Sequence, residues 1–340
     1  MRYTLTLAAA LALALLAAPA FAEEYVPEEG AKGQDQPEGE AKWDFTLSIG
    51  ASGNLSQNTS VIGQPDGSSY TLGGKLEFGA DYLSLSHEVR NDVQIVNTFT
   101  RTPVVPEFVR SADTLRLETI YYYHLEGLPW FGPFGRLQLE TSLFKGINIQ
   151  PSEVTYETRD PEGNLVETRQ SDRQQLTESF QPLKLKESAG AFARPVSSKV
   201  FDVELRLGIG SQQIFADGGL ALADNKDTTP IEIVQLEDSV QAGGEFVATV
   251  GGAIFGKRLT YSTGLEVLVP FYNSGGQQDD RGPIDLANIE LYARASLKVV
   301  EWASLDYEFR AVRQPLLLDE FQIQNNLLLT FGYTLLDSDE

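Results

Sequence analysis

Over the last fifty residues, Leu286 to Leu336, apolar and polar side chains alternate with a period of two. Ile289, Leu291, Ala293, Ala295, Leu297 and Val299 stand against Glu290, Tyr292, Arg294, Ser296 and Lys298. The pattern returns as Ala303, Leu305, Tyr307 and Phe309 against Ser304, Asp306, Glu308 and Arg310. It returns again as Ile323, Asn325, Leu327, Leu329, Phe331 and Tyr333 against Gln324, Asn326, Leu328, Thr330 and Gly332. Successive side chains of a strand point to opposite faces, so a period of two is a strand with one apolar and one polar face. Each run is about ten residues, the length a tilted strand needs to cross the hydrocarbon core of a bilayer.

The same unit repeats along the chain. The spacing predicts twelve strands: Trp43–Leu55, Tyr70–Ala80, Leu85–Phe99, Leu115–Leu125, Leu137–Leu143, Leu183–Ala193, Phe201–Ile209, Val240–Val250, Leu259–Val269, Ile289–Val299, Ala303–Phe309 and Ile323–Tyr333. The links alternate, long after odd strands and short after even ones, as in barrels with long external loops and tight periplasmic turns. Short turns are expected near Asp81-Tyr82, at Leu128–Phe134, at Pro195–Lys199 and at Phe255–Arg258. The longest link, Gly146 to Phe180, carries a hairpin signal of its own around Asp160-Pro-Glu-Gly-Asn164. The expected fold is therefore all-β: a transmembrane antiparallel β-barrel of about twelve strands over residues 43–336. A soluble secreted β-barrel binding protein is the alternative. It would bury the apolar face, and a barrel this large would then need an enormous apolar interior.

The N-terminus has the parts of a secretory signal over residues 1–22. Arg2 is followed by an apolar core from Leu5 to Leu16 and by Ala20-Phe21-Ala22 at the cleavage position. Residues 23–42 are acidic, rich in proline and glycine, and lack apolar periodicity, as a disordered leader does. Residues 337–340 read as an acidic tail. The chain has no cysteine, which excludes a disulfide framework and a lipid-anchored cysteine. Its net charge is −22, and −23 without the signal (25 basic and 48 acidic residues), which excludes nonspecific nucleic-acid binding. The implied setting is the cell outer membrane. The expected partners are its lipids, lipopolysaccharide and the barrel-assembly machinery.

Inside such a barrel the polar faces line a lumen. The lining candidates are Glu88, Arg90, Asp92, Arg116, Glu118, Arg136, Glu140, Lys184, Lys186, Glu204, Arg206, Glu245, Glu266, Glu290, Arg294, Asp306, Glu308 and Arg310. They are a selectivity lining if the lumen is open. They are cross-strand pairs filling a narrow lumen if it is not, and their mixed signs favour pairing. Trp43, Tyr82, Tyr123, Trp130, Trp302 and Tyr333, joined by Phe134, Phe201 and Phe255, fall near predicted periplasmic strand ends. Phe99, Phe215, Phe271 and Phe321 fall near the opposite ends, so the aromatics form two interfacial belts. His87 is placed on the apolar face and His124 on the polar face, so neither a Ser–His catalytic site nor a two-histidine metal site is expected. Asp224, Asp227, Asp279 and Asp280 are solvated loop acids without calcium-loop spacing. No nucleophile motif, phosphate loop, cofactor site or metal-ligand spacing is present.

The stretch Lys186-Glu-Ser-Ala-Gly-Ala-Phe-Ala193, with Phe201-Asp-Val-Glu-Leu-Arg-Leu-Gly-Ile-Gly210, resembles the central strands of salt-induced outer-membrane protein and related uncharacterised β-barrel families. Trp302–Arg310 and Asp319–Tyr333 are similar to the ending of those families, so the resemblance spans the C-terminal half. It implies an outer-membrane barrel and supplies no activity. The functional expectation is a narrow passive, porin-like channel or a structural envelope barrel, with an outer-membrane lipid hydrolase as the lesser alternative.

Overall fold

The computed structural model describes residues 41–58, 67–216, 218–223, 229–256, 258–274, 281–300, 302–316 and 318–337. The expected signal, the leader up to residue 40 and residues 338–340 lie outside the described residues, as do Asp224, Asp227, Asp279 and Asp280. The strands are β1 (Lys42–Asn58), β2 (Gly67–Leu83), β3 (His87–Arg101), β4 (Val109–Tyr123), β5 (Phe131–Thr141), β6 (Gly146–Arg159), β7 (Leu165–Thr177) and β8 (Leu183–Val196). They continue as β9 (Asp202–Phe215), β10 (Leu220–Leu222), β11 (Ile231–Gln235), β12 (Ser239–Ile254), β13 (Leu259–Ser274), β14 (Asn288–Val300), β15 (Ala303–Gln314) and β16 (Leu318–Asp337).

Twelve of them form one closed barrel in the order β1-β16-β15-β14-β13-β12-β9-β8-β5-β4-β3-β2. Every neighbouring pair in it is antiparallel. Closure is made by β1 against β16, from Thr46 opposite Asp337 to Ser52 opposite Thr330. Lys42, on the leader side of the sequence boundary, already pairs with Leu83, and Asp337, on the tail side, is in the closing ladder. The barrel strands run from 11 to 20 residues, and every one is long enough to span a bilayer core at the usual tilt.

The barrel is apolar outside and polar inside. Leu207 and Ile209 are each 65% exposed on the outer face of β9, while Glu204 and Arg206 of the same strand are 3% and 1% exposed. Leu72, Leu137, Leu291, Leu305 and Ile323 continue the outer belt on other strands. This is the reverse of the soluble alternative, which would bury those residues. The chain is a transmembrane β-barrel, because an apolar belt around a closed sheet is stable only against lipid.

Several expected boundaries move. Asp81 and Tyr82 are paired with Asp44 and Trp43 in the β1–β2 ladder, and the turn falls at residues 84–86. The turn after β4 spans residues 124–130, so Phe134 belongs to β5, faces inward and is 5% exposed; it is not part of a belt. The hairpin in the longest link is the whole of β6 and β7. With β10 and β11, which sequence alternation does not reveal, it forms a separate four-stranded sheet ordered β10-β11-β6-β7. The β6–β11 pairing is parallel, from Tyr156 opposite Ile231 to Arg159 opposite Val234. The long/short rhythm also fails twice: the β3–β4 link, residues 102–108, is no longer than the β4–β5 turn. The β15–β16 link is only residues 315–317, because both strands extend towards it beyond their alternating cores.

The aromatics mark the two ends. Trp43, Trp130 and Trp302 are exposed at the end that carries the short turns, with Tyr82 packed 5.2 Å from Trp43 and Phe331 stacked 5.9 Å from Trp302. Tyr123 packs 5.3 Å from His87 at the same end, and Phe201 and Phe255 are exposed there. Tyr333 pairs with Ile49 in the closing ladder, and its side chain lies outside the described residues. Phe99, Phe215, Phe271 and Phe321 are exposed at the long-link end. Leu291→Arg places a charge on the lipid face and is expected to cost about 2–4 kcal/mol of barrel stability in vesicles. Arg294→Leu, on the inward face 3.6 Å from Glu308, is expected to be milder. Refolding yield read by heat-modifiable gel mobility checks both.

Candidate functional site

The site is the lumen. All eighteen predicted lining residues lie on the inward faces of their strands, because the ladder parity that turns leucines outward turns these inward. Their contacts are not confined to adjacent strands. Arg136 on β5 donates from Nη1 to Glu266 Oε2 on β13 at 2.9 Å. Four ladder steps separate those strands, about 19 Å along the wall at the usual strand spacing. The contact therefore crosses the interior.

A continuous chain of charges is built on that crossing. Arg116 donates to Glu118 at 2.7 Å, and the guanidinium of Arg136 also reaches Glu118 Oε2 at 3.0 Å. Glu266 then accepts from Lys186 on β8 at 2.9 Å, and Lys186 lies 3.5 Å from Glu290 on β14. Arg310 on β15 closes the chain by donating to Glu290 at 2.9 Å. Glu266 and Glu290 are direct cross-strand partners, an unfavourable placement for two like charges unless a cation intervenes. Lys186 supplies it from across the lumen. Glu140 takes Lys184 at 3.2 Å, and Asp306 accepts from Ser304 at 3.0 Å and from Ser296. Asp92 also has a partner.

Nearer the short-turn end the filling becomes denser. Arg194 on β8 donates from Nε to Glu204 Oε2 at 2.7 Å and from Nη1 to Glu88 Oε2 on β3 at 2.7 Å. Tyr122 on β4 donates to Glu204 Oε1 on β9 at 2.6 Å. Arg90 donates to Glu88 at 2.6 Å, and Arg206 lies 3.5 Å from Glu204. Ile120, Tyr122, Phe134 and Phe192 form a buried apolar cluster beside these ions. The Arg194 guanidinium sits 4.5 Å from the Tyr122 ring centre and 5.2 Å from that of Phe192. Stacking of this kind lets a desolvated cation share an interior with aromatic rings. Further along the wall Tyr292 is buried against Gly264, where any Cβ would collide with its ring, so that glycine makes room for the tyrosine.

Sequence reading missed part of this set. Arg194 continues the period of Lys184 and Lys186 but lies one residue beyond the predicted strand end. Lys75, Glu77 and Asp202 stand on the polar side of their predicted strands but outside the lining set; they face inward on β2 and β9, Lys75 and Glu77 paired at 2.7 Å, as does Asp81, which the sequence puts in a turn. Ile120, Tyr122, Phe134 and Phe192 occupy polar-face positions with apolar side chains, so alternation alone hides them.

The histidines lie on opposite faces. His87 Nδ1 is 2.7 Å from Tyr121 Oη on the outside. His124 Nε2 is 2.8 Å from Glu88 Oε2 in the lumen, and its Nδ1 is 2.5 Å from the Pro129 carbonyl. Ser84 Oγ bonds the backbone of His87, not its ring. Among the described residues no group of three or more acidic, histidine or cysteine side chains is arranged to hold a metal.

No known family model matches the chain, and no curated protein matches it. Among solved structures it is similar to an outer membrane channel from Pseudomonas putida F1, with 11% identity over 92% of this chain and 99% of that one and a TM-score of 0.39. It is similar to the translocator domain of autotransporter NalP from Neisseria meningitidis, with 8% identity over 97% and 96% and a TM-score of 0.35. The beta domain of the Bordetella autotransporter BrkA gives 11% identity over 86% and 99%, with a TM-score of 0.35. Likenesses this loose decide nothing about function.

Truncating one member of the dense web should leave buried charge uncompensated. Arg194→Ala removes the cation that Glu88 and Glu204 share, leaving them to Arg90 and Arg206, and is expected to destabilise the folded barrel by about 3 kcal/mol in urea titrations in vesicles. Removing the whole set, with Arg90→Met and Arg206→Met added to Glu88→Gln, Arg194→Met and Glu204→Gln, is expected to recover part of that loss. A loss as large in this combined variant as in Arg194→Ala would show that the web does not act as a unit.

Proposed function

We propose that this chain is an outer-membrane β-barrel whose lumen is largely occluded by its own side chains, so that it passes small ions weakly and is not an open porin. The reading includes export through the signal at residues 1–22, a periplasmic leader at 23–42, and the short-turn end facing the periplasm. The barrel-assembly machinery and outer-membrane lipids are its partners. The resemblance of its C-terminal half to the salt-induced outer-membrane protein family points the same way. The observation that carries the proposal is the set of contacts between strands that are not neighbours: Arg136 with Glu266, Arg194 with Glu88, and Tyr122 with Glu204. A wide pore keeps its charges on its walls and separated by water. Here they meet across the lumen, between strands three or four ladder steps apart.

The sign of any leak follows from the lining. The eighteen predicted residues comprise ten acids and eight bases. Adding Glu77, Asp81, Asp202, Lys75 and Arg194 keeps the excess negative, thirteen to ten. Glu245 has one buried carboxylate oxygen without a hydrogen-bond partner. Residual conductance is therefore cation-preferring, and the preference fades as salt shortens the screening length to below about 10 Å above 0.1 M. The same filling also favours a purely structural envelope barrel with no transport, which differs by having no conductance at all.

Planar-bilayer recordings test this. The expected result is a weak conductance with modest cation preference, raised several-fold by Tyr122→Ala with Phe192→Ala and made less cation-preferring by Glu245→Gln. A large, steady, anion-selective conductance of the unaltered chain would overturn the proposal.

A further inference from the structure

The chain is strongly acidic, and most of its described cations face a carboxylate. Arg101 and Arg110 do not. Arg101 ends β3 on the outer face, two residues beyond Phe99, and is exposed with no hydrogen bond or ion pair among the described residues. Its ladder partner is Tyr70, itself 38% exposed. Arg110 on β4 is the ladder partner of Phe99. Its guanidinium lies 4.3 Å from the Phe144 ring centre and 5.5 Å from that of Phe99. Among the described residues its hydrogen bond runs from Nη1 to the Lys145 carbonyl at 3.4 Å, and its Nε is buried without a partner. The neighbouring carboxylates are already engaged. Asp113 accepts from the amides of Leu143 and Phe144, Glu107 pairs with Arg173 at 2.7 Å, and Glu178 pairs with Lys145 at 2.8 Å.

We infer that Tyr70, Phe99, Arg101, Arg110 and Phe144 form a binding surface for the phosphate of a lipid in the outer leaflet, of the lipopolysaccharide type. The inference rests on the outer-membrane reading, which makes the long-link end the outer-leaflet end. The surface has the two chemistries such a lipid needs. Arg101 and Arg110 are two guanidiniums about two strand residues apart in depth, the level at which an apolar belt meets headgroups, and guanidinium forks match phosphate oxygens bidentately. Below them Phe99 opens onto the outer belt, where acyl chains lie. The aromatic stacking holds Arg110 against the wall and limits the ordering cost of capture. A free anion would use only the first chemistry, which is why an amphiphile is the occupant.

The test uses the full folded chain in detergent, with heat-modifiable mobility confirming the fold of every variant. Native mass spectrometry counts retained lipid A, enzymatically dephosphorylated lipid A and inorganic phosphate. The unaltered chain is expected to retain lipid A and neither of the others. Arg101→Gln, which removes no contact within the protein, is expected to weaken retention by about tenfold, as losing one charge-assisted contact should. Arg101→Gln with Arg110→Gln should weaken it further, while Arg169→Gln, on exposed β7, should leave it unchanged. Equal retention of the dephosphorylated lipid, equal retention by the double variant, or no retention by the unaltered chain each overturns the inference. Failure of the unaltered chain to insert into liposomes would instead overturn the outer-membrane reading, and the detergent measurement remains readable on its own.

Discussion

A sheet with an apolar outer face cannot leave an edge unpaired, because lipid offers no hydrogen bond to a bare amide or carbonyl. That constraint sets the rest of the structure. It requires β1 and β16 to find each other from opposite ends of the chain, and the seven pairs from Thr46–Asp337 to Ser52–Thr330 do so through a bulge at Leu47/Ser48. It also fixes side-chain direction. Once the ladder closes, the period of two in each strand leaves no choice about which residues meet lipid and which meet the lumen. Strand segments that leave the barrel must satisfy their backbone elsewhere. β6, β7, β10 and β11 do this by pairing with one another, one link supplying β6 and β7 and another supplying β10 and β11.

The interior then has its own difficulty. Turning every second residue inward puts carboxylates and guanidiniums into a confined space, where an unpaired ion is costly. The barrel answers by pairing across the space. Lys186 between Glu266 and Glu290, and Arg194 between Glu88 and Glu204, each bridge two carboxylates from different strands. Such clusters add little net stability over an apolar filling. What they fix is the approach of particular strands across the lumen, and they leave little room for solvent. The proposed occlusion and the cross-lumen approach of the strands thus rest on the same contacts. The outer rim differs, since Arg101 and Arg110 remain without carboxylates on the lipid side.

Most of the architecture is legible in the sequence, for a physical reason. Burial on one side and lipid on the other impose the same alternation on every spanning strand, so Leu291 and Arg294 can be assigned faces without any tertiary information. The failures occur where that pressure is absent. β10 is three residues and β11 five, both outside the membrane, and neither needs a long alternating run. The β15–β16 link is short because strands that extend past the bilayer no longer need an apolar face, so alternation stops before pairing does. Phe134 and Phe192 defeat the pattern in the other direction: they face inward because the lumen at that level is plugged, and a plugged lumen accepts aromatic rings. Alternation identifies which charged residues face inward, but not which of them meet across the barrel, since pairing between β5 and β13 depends on closure and not on any local spacing.

The crossing of the lumen by Arg136 and Glu266 is the contact on which this picture most depends. A double-mutant cycle with Arg136→Gln, Glu266→Gln and their combination, read as urea stability of the folded barrel in lipid vesicles, measures it. Groups that touch across the interior are predicted to couple by at least about 1 kcal/mol, the double variant being less destabilised than the sum of the singles. Additivity within about 0.5 kcal/mol would mean that the two side chains do not meet, and that water separates the walls.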